Sequence, residues 1–224
     1  MWPFCSKKTL ASSGVFQGFT DYHSHILPGV DDGIRTMEDA LEVLRRFEQL
    51  GVVKVWCTPH IMEDIPNTTA FLRERFAQLE QAYTGPIQLR LAAENMLDSL
   101  FEERLAAGDL LPLGDASKHL LVETSYFNPP AGLDNILFRI KTGGYCPVLA
   151  HPERYAYMNE EDYRRLRDMG ILFQLNLFSL TGAYGPLAKR RAEWMIDNNM
   201  YTYRGTDIHS INLLERTSLR IKKI

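Results

Sequence analysis

Five of the six histidines stand in short polar clusters, the last of which also holds an acid: His23-Ser24-His25, Thr58-Pro59-His60, His151 and Thr206-Asp207-Ile208-His209. Glu94, Glu123 and the Asp32 of Asp31-Asp32-Gly33 complete the set. Imidazole and carboxylate without thiolate suit Zn²⁺, Mn²⁺ or Fe and argue against a structural zinc finger. The candidate ligands are His23, His25, Asp32, His60, Glu94, Glu123, His151, Asp207 and His209. They exceed what one ion needs, so two divalent ions are implied, and three if a carboxylate such as Glu94 bridges. Four carboxylates beside three divalent ions leave a net positive site, which attracts a phosphate dianion. Multinuclear centres of this kind activate water and clamp a substrate oxyanion. Each cluster alone is weak: an isolated His-x-His is more often surface or core, and an aspartate before glycine is usually turn chemistry. It is the joint placement that carries weight. The sixth histidine, His119, begins an apolar run and has no assigned role.

Each cluster follows the end of a short apolar run. Strands are expected over 18–22, 52–57, 87–93, 120–125, 147–151, 171–176 and, more weakly, 201–206. Helical spacing marks the segments between them. Met37, Ala40, Leu41, Leu44 and Phe47 follow Thr36, an N-cap residue, and Gly51 ends that helix. Further helices are expected around 71–79, over 97–107, 133–142 and 160–169, from Pro186 to about 198, and in the tail from Ser210. Strands alternating with helices imply a parallel sheet with right-handed crossovers. Seven such units favour a closed (β/α) barrel, with an open doubly wound sheet as the alternative. In a parallel barrel all C-terminal strand ends share one face, and that face carries the active site.

The chain has 224 residues with 45% hydrophobic and 24% charged residues, a globular mixture sized for one domain. Residues 1–17 read as a short mobile leader and 18–224 as a single domain. A formal net charge of −3 gives no basic footprint for nucleic acid. No apolar run is long enough for a membrane span. Three cysteines without CxxC spacing disfavour a disulfide framework and fit a reducing, cytoplasmic setting. No nucleotide-binding glycine fingerprint follows any strand. A thiol phosphatase needs an arginine six residues after its cysteine; Ala11, Glu63 and Pro152 stand there instead.

The strings DYHSHILPGVDDG (21–33), TPH (58–60), AAEN (92–95), VETS (122–125), AHPERY (150–155) and TDIHS (206–210) together resemble the PHP (polymerase and histidinol phosphatase) metal-dependent phosphoesterases. The resemblance is greatest to the branch of bacterial protein-tyrosine phosphatases found with capsule and exopolysaccharide synthesis, and it runs from about residue 19 to 210. It implies a distorted seven-stranded (β/α)7 barrel and a trinuclear cluster of manganese or iron, sometimes zinc. By motif, His23, His25, Glu94 and Asp207 would hold one ion. Glu94, Glu123 and His151 would hold a second, and Asp32, His60 and His209 a third. Arg154 would bind phosphate oxygens, acting in the reaction with Asp207 and Glu94. The family's second arginine, a few residues after the Asp-x-His motif, is missing from its usual place; Arg216 and Arg220 are the nearest, and Arg216 is taken as a substrate contact.

The resemblance implies hydrolysis of phosphotyrosine on a protein, a tyrosine kinase of capsule or exopolysaccharide synthesis, by a metal-activated hydroxide. Tyr126, Phe127, Tyr155, Phe178 and Tyr184 could wall a phenyl ring. A small-molecule phosphatase such as histidinol phosphatase would share every ligand. An amidohydrolase would place a bridging lysine and a histidine where Glu123 and Asn176 stand. A non-catalytic metal-binding partner of a kinase is a further alternative.

Overall fold

The computed structural model describes residues 8–114, 118–219 and 221. Among the described residues the apolar runs become nine strands: β1 (Phe19–Ser24), β2 (Val52–Cys57), β3 (His60–Ile61), β4 (Gln88–Leu91), β5 (Glu94–Met96), β6 (His119–Glu123), β7 (Cys146–Ala150), β8 (Leu172–Asn176) and β9 (Tyr203–Gly205). They pair in parallel throughout, as one sheet of order β1-β2-β4 and a second, curled sheet of order β3-β5-β6-β7-β8-β9. The α/β class with parallel sheets therefore holds, while a count of seven strands does not.

The difference arises where two expected strand units break. Pro59 has no N–H to give to a ladder, and the chain leaves β2 there and re-enters as β3. Ala92 and Ala93 do the same between β4 and β5. The Ala92 N–H still reaches Cys57 O at 2.9 Å, but the Ala93 N–H turns to Leu111 O at 3.2 Å and the Glu94 N–H to Pro59 O at 3.1 Å. The bend moves Glu94 from the line of the first sheet into the second.

The last strand returns to the first without a regular ladder. The Asp207 N–H donates to His23 O at 2.7 Å and the His25 N–H to Ile208 O at 3.1 Å. The buried Asp21 carboxylate accepts from the Thr206 N–H at 2.9 Å and from Thr206 Oγ1 at 2.6 Å. Gly205 permits this approach: a Cβ there would lie 2.5 Å from His23 Cβ and 2.7 Å from the His23 nitrogen.

Seven α-helices among the described residues follow the expected alternation: α1 (Met37–Leu50), α2 (Thr69–Ala82), α3 (Ser99–Ala107), α4 (Leu133–Thr142), α5 (Glu160–Asp168), α6 (Gly185–Asp197) and a single turn, α7 (Ile211–Leu214). Thr36 caps α1 by accepting from the Asp39 N–H at 3.1 Å. The helix buries Ala40, Val43, Leu44 and Phe47, the face set by their spacing. In β6, Leu120 and Val122 pack outward with Leu137 and Ile140 of α4, while Leu121 packs inward with Val148 and Ala150 of β7. A strand buried on both faces must be apolar at every position. That is why the acid at its end, Glu123, marks a change of function.

The segment expected as a leader is partly packed. Leu10 and Phe16 are buried, the Leu10 N–H donates to Leu219 O at 3.1 Å, and the Ile221 N–H donates to Lys8 O at 3.0 Å. Residues 8–17 thus clasp the C-terminal tail, and residues 1–7 lie outside the described residues. No helix among the described residues is long and apolar enough to cross a membrane.

Candidate metal centre

Period-two alternation puts His23 and His25 on one face of β1 and its extension. Bond directions then bring the other strand ends to them. His23 Nε2 lies 3.0 Å from Glu94 Oε2 and 3.3 Å from Asp207 Oδ1. His25 Nε2 lies 3.2 Å from each of the same two oxygens, and the two Nε2 atoms are 3.1 Å apart. All four residues are buried.

The second grouping lies beside the first. His60 Nδ1 is 2.9 Å from Glu123 Oε1 and 3.3 Å from Glu94 Oε2. His151 Nε2 is 3.1 Å from Glu94 Oε1 and 3.9 Å from Glu123 Oε2. The third grouping is nearer solvent: Asp32 Oδ1 is 3.6 Å from His60 Nε2 and 3.5 Å from His209 Nε2. The nine candidate ligands therefore converge, with Glu94 reaching two groupings. His60 faces the second grouping with Nδ1 and the third with Nε2, an overlap that the sequence did not suggest.

Two of the three non-glycine residues with positive φ among the described residues are His151 (φ 33°) and Asp207 (φ 53°). Such backbone costs about 1–3 kcal/mol and persists where surrounding structure over-determines it. Here the His151 N–H is held by Gln174 Oε1 at 3.1 Å, and the Asp207 N–H by β1.

The electrostatics are those of a site built for cations. Burial pulls the His23 pKa down, yet Glu94 and Asp207 more than offset it and hold it raised to about 9. His25 is likewise raised against its burial, chiefly by Asp31. Burial would raise the carboxyls of Glu94 and Asp207, but the facing imidazoles hold both below the usual range.

A divalent ion fits this arrangement. His60 Nδ1, Glu94 Oε1, Glu123 Oε1 and Asp207 Oδ1 are buried atoms facing the cluster without a hydrogen bond of normal geometry. Ligand atoms around an ion with bonds of about 2.0–2.1 Å stand about 2.9 Å apart in an octahedron and about 3.4 Å apart in a tetrahedron. The separations of 3.0–3.3 Å among His23, His25, Glu94 and Asp207 fall within those limits.

Arg154 borders the cluster. Its Nη1 lies 2.6 Å from Asp207 Oδ2, which also accepts from Asn176 Nδ2 at 2.9 Å. The guanidinium stacks between Tyr126 and Tyr184, with ring centroids 4.5 and 4.0 Å from Cζ. Of the other expected walls, Tyr155 and Phe178 are completely buried and face no solvent, whereas Phe127 is exposed. Arg216 sits exposed on a short helical turn (Glu215–Ser218). Its side chain makes no hydrogen bond or ion pair with the nine candidate ligands among the described residues. Arg220 lies outside the described residues.

The family model for capsular polysaccharide synthesis proteins CpsB/CapC matches residues 19–218. The chain belongs to the CpsB/CapC family. It is 30% identical over 209 residues to the tyrosine-protein phosphatase CpsB of Streptococcus pneumoniae, covering 86% of this chain and 83% of that one. It is 28% identical over 197 residues to the tyrosine-protein phosphatase YwqE of Bacillus subtilis, covering 85% and 77%. A solved structure from work on YwqE and CpsB, described there as metal-dependent tyrosine phosphatases, superposes with a TM-score of 0.80 at 28% identity, over 87% of this chain and 81% of that one. All nine residues named from sequence lie within the matched span 19–218. Sequence alone does not mark Asp31, Asp21, Glu153 and Gln174, whose buried polar groups hold backbone and rings around the cluster. A lone glutamine inside the apolar run 171–176 was the available signal, since such a residue is rarely buried without a partner.

Proposed function

We propose that the chain is a metal-dependent protein-tyrosine phosphatase, with two or three manganese or iron ions held by the nine residues. The carrying observation is the buried four-way approach of His23, His25, Glu94 and Asp207 beside Arg154, in a chain whose relatives are tyrosine-protein phosphatases. Bound divalent ions would supply Lewis acidity toward phosphate oxygens and lower the pKa of a water. The protein's own part is position and charge. Glu94 spans two groupings and fixes their spacing. Arg154, raised further above its ordinary pKa by Asp207 despite burial, offers a planar fork to non-bridging phosphate oxygens. Tyr126 and Tyr184 hold that fork and border the place a phenyl ring would take. The two sheets are read as one distorted barrel of seven units, closed between β9 and β1. A bacterial tyrosine kinase of capsule or exopolysaccharide synthesis is the proposed substrate protein, and the cytoplasm the proposed location of this chain.

Elemental analysis beside a phosphotyrosine-peptide assay, with and without chelator, tests this reading. Metal near two or three ions per chain and activity lost on chelation support it. Full activity without metal, or a large preference for small phosphate esters, would overturn it.

A further inference from the structure

Two buried side chains outside the nine candidate ligands occupy the far nitrogens of the β1 histidines. Asp31 Oδ2 accepts from His25 Nδ1 at 2.8 Å and from the His60 backbone N–H at 3.0 Å. Its Oδ1 accepts from the Gly33 N–H at 2.9 Å. One carboxylate thus joins the His25 ring, the His60 backbone and the turn carrying Asp32. On the opposite side, Gln174 Oε1 accepts from His23 Nδ1 at 2.9 Å and from the His151 backbone N–H at 3.1 Å. Gln174 Nε2 donates to Leu175 O at 2.6 Å.

These contacts fix hydrogen positions. Asp31 can only accept when ionised. The Gln174 amide cannot flip, because its nitrogen is committed to a carbonyl and its oxygen to an N–H. Both partners therefore require a proton on Nδ1, which leaves the lone pair of a neutral ring on Nε2. Those are the atoms that meet at 3.1 Å and face Glu94 and Asp207. Outer partners of this type orient ligand imidazoles and raise their donor strength.

We infer that Asp31 and Gln174 are positioning residues that lock His25 and His23 in the Nδ1–H form and so direct both Nε2 lone pairs at one divalent cation. Each also ties a ring to the backbone of a more distant ligand, His60 for Asp31 and His151 for Gln174. The inference rests on the metal-centre reading above.

Titration of the chelator-stripped full chain with Mn²⁺, following free Mn²⁺ by its spin-resonance signal, tests it. Asp31→Ala and Gln174→Met are expected to weaken Mn²⁺ binding by about 10–100-fold in chains that still fold, with the melting temperature of the metal-free chain lowered because each change leaves buried N–H groups without an acceptor. Gln174→Glu keeps an acceptor for His23 Nδ1 but loses the donor to Leu175 O, so it should bind more tightly than Gln174→Met without reaching wild type. Asp31→Asn keeps an oxygen but loses the charge and the bond from Gly33, so it should fall between. Where one of the first variants does not fold, Asp31→Asn reads a smaller loss in the same direction and Gln174→Ala the full one. Folded variants with wild-type Mn²⁺ affinity would overturn the inference. A wild-type chain that binds no Mn²⁺ would instead overturn the metal centre itself.

Discussion

At the scale of single residues, Arg154 has two neighbours that pull its role in different directions. Its bond to Asp207 makes it a support for a candidate ligand, while its place between two tyrosines presents it as an anion contact. Asp207 keeps the Asn176 amide when the arginine is gone, and loss of a nearby cation does not weaken metal binding electrostatically. Arg154→Ala is therefore expected to lower kcat/KM on a phosphotyrosine peptide by about 10²–10³ with metal content unchanged. Arg154→Lys should recover only part, since it restores charge without the fork. Metal lost in parallel with activity would make Arg154 a prop for Asp207 alone. The cysteines give the opposite expectation. Burial pushes the Cys57 thiol far up, and that of Cys146 up as well, so neither forms a thiolate nucleophile readily. Cys57→Ala and Cys146→Ala should keep turnover within about twofold; complete inactivation by either would return the chemistry to a thiol. Sequence showed the nine ligand candidates because their types are rare together at strand ends. It did not show Asp31 or Gln174 as ring partners, since one acid in a turn and one amide in a strand mean nothing until folding supplies the histidine opposite.

At the scale of elements, most helices and strands were legible because their apolar periodicity is local. The split of two strands was not, because it depends on pairing: Pro59 breaks one ladder only if the neighbouring strand bends with it, at Ala92 and Ala93. The β9–β1 junction was equally hidden, because it relies on Asp21 reaching residues 185 positions away. Gly205 sits at that junction without positive φ, so its constraint is space alone. Gly205→Ala is expected to force β9 away from His23. Overpacking of this kind costs about 1–3 kcal/mol, and a chain of this size loses about 2–4 °C of Tm per kcal/mol. Because the displaced neighbour is His23, Mn²⁺ affinity should fall as well. Thr36→Ala provides the contrast: loss of the α1 cap costs about 1 kcal/mol and should leave Mn²⁺ affinity intact. Equal Mn²⁺ affinity in Gly205→Ala and wild type would show that the junction does not set the position of His23.

At the scale of the whole molecule, the site couples folding to both protons and metal. Without metal, buried imidazoles and carboxylates are held together by protonation of the rings. Burial lowers the His23 pKa, but Glu94 and Asp207 leave it raised to about 9 against an ordinary value of 6.5. A histidine raised on folding contributes stability that is fully present below the unfolded value and is lost as pH rises through the folded one. The stripped chain should therefore lose Tm between about pH 6.5 and 9. Metal reverses the slope. An ion takes neutral rings, so its binding releases protons and strengthens as pH rises, and a ligand bound to the folded chain alone stabilises it by mass action, about 2.7 kcal/mol at a hundredfold excess over Kd. With saturating Mn²⁺ the Tm should hold or rise over the same interval. Thermal melts of stripped and Mn²⁺-loaded protein across that interval measure both slopes. A stripped chain whose Tm is flat or rising there would show that protons do not stand in for metal at His23. The near contacts between its ring and the two carboxylates would then need another explanation than a cation site held closed by charge.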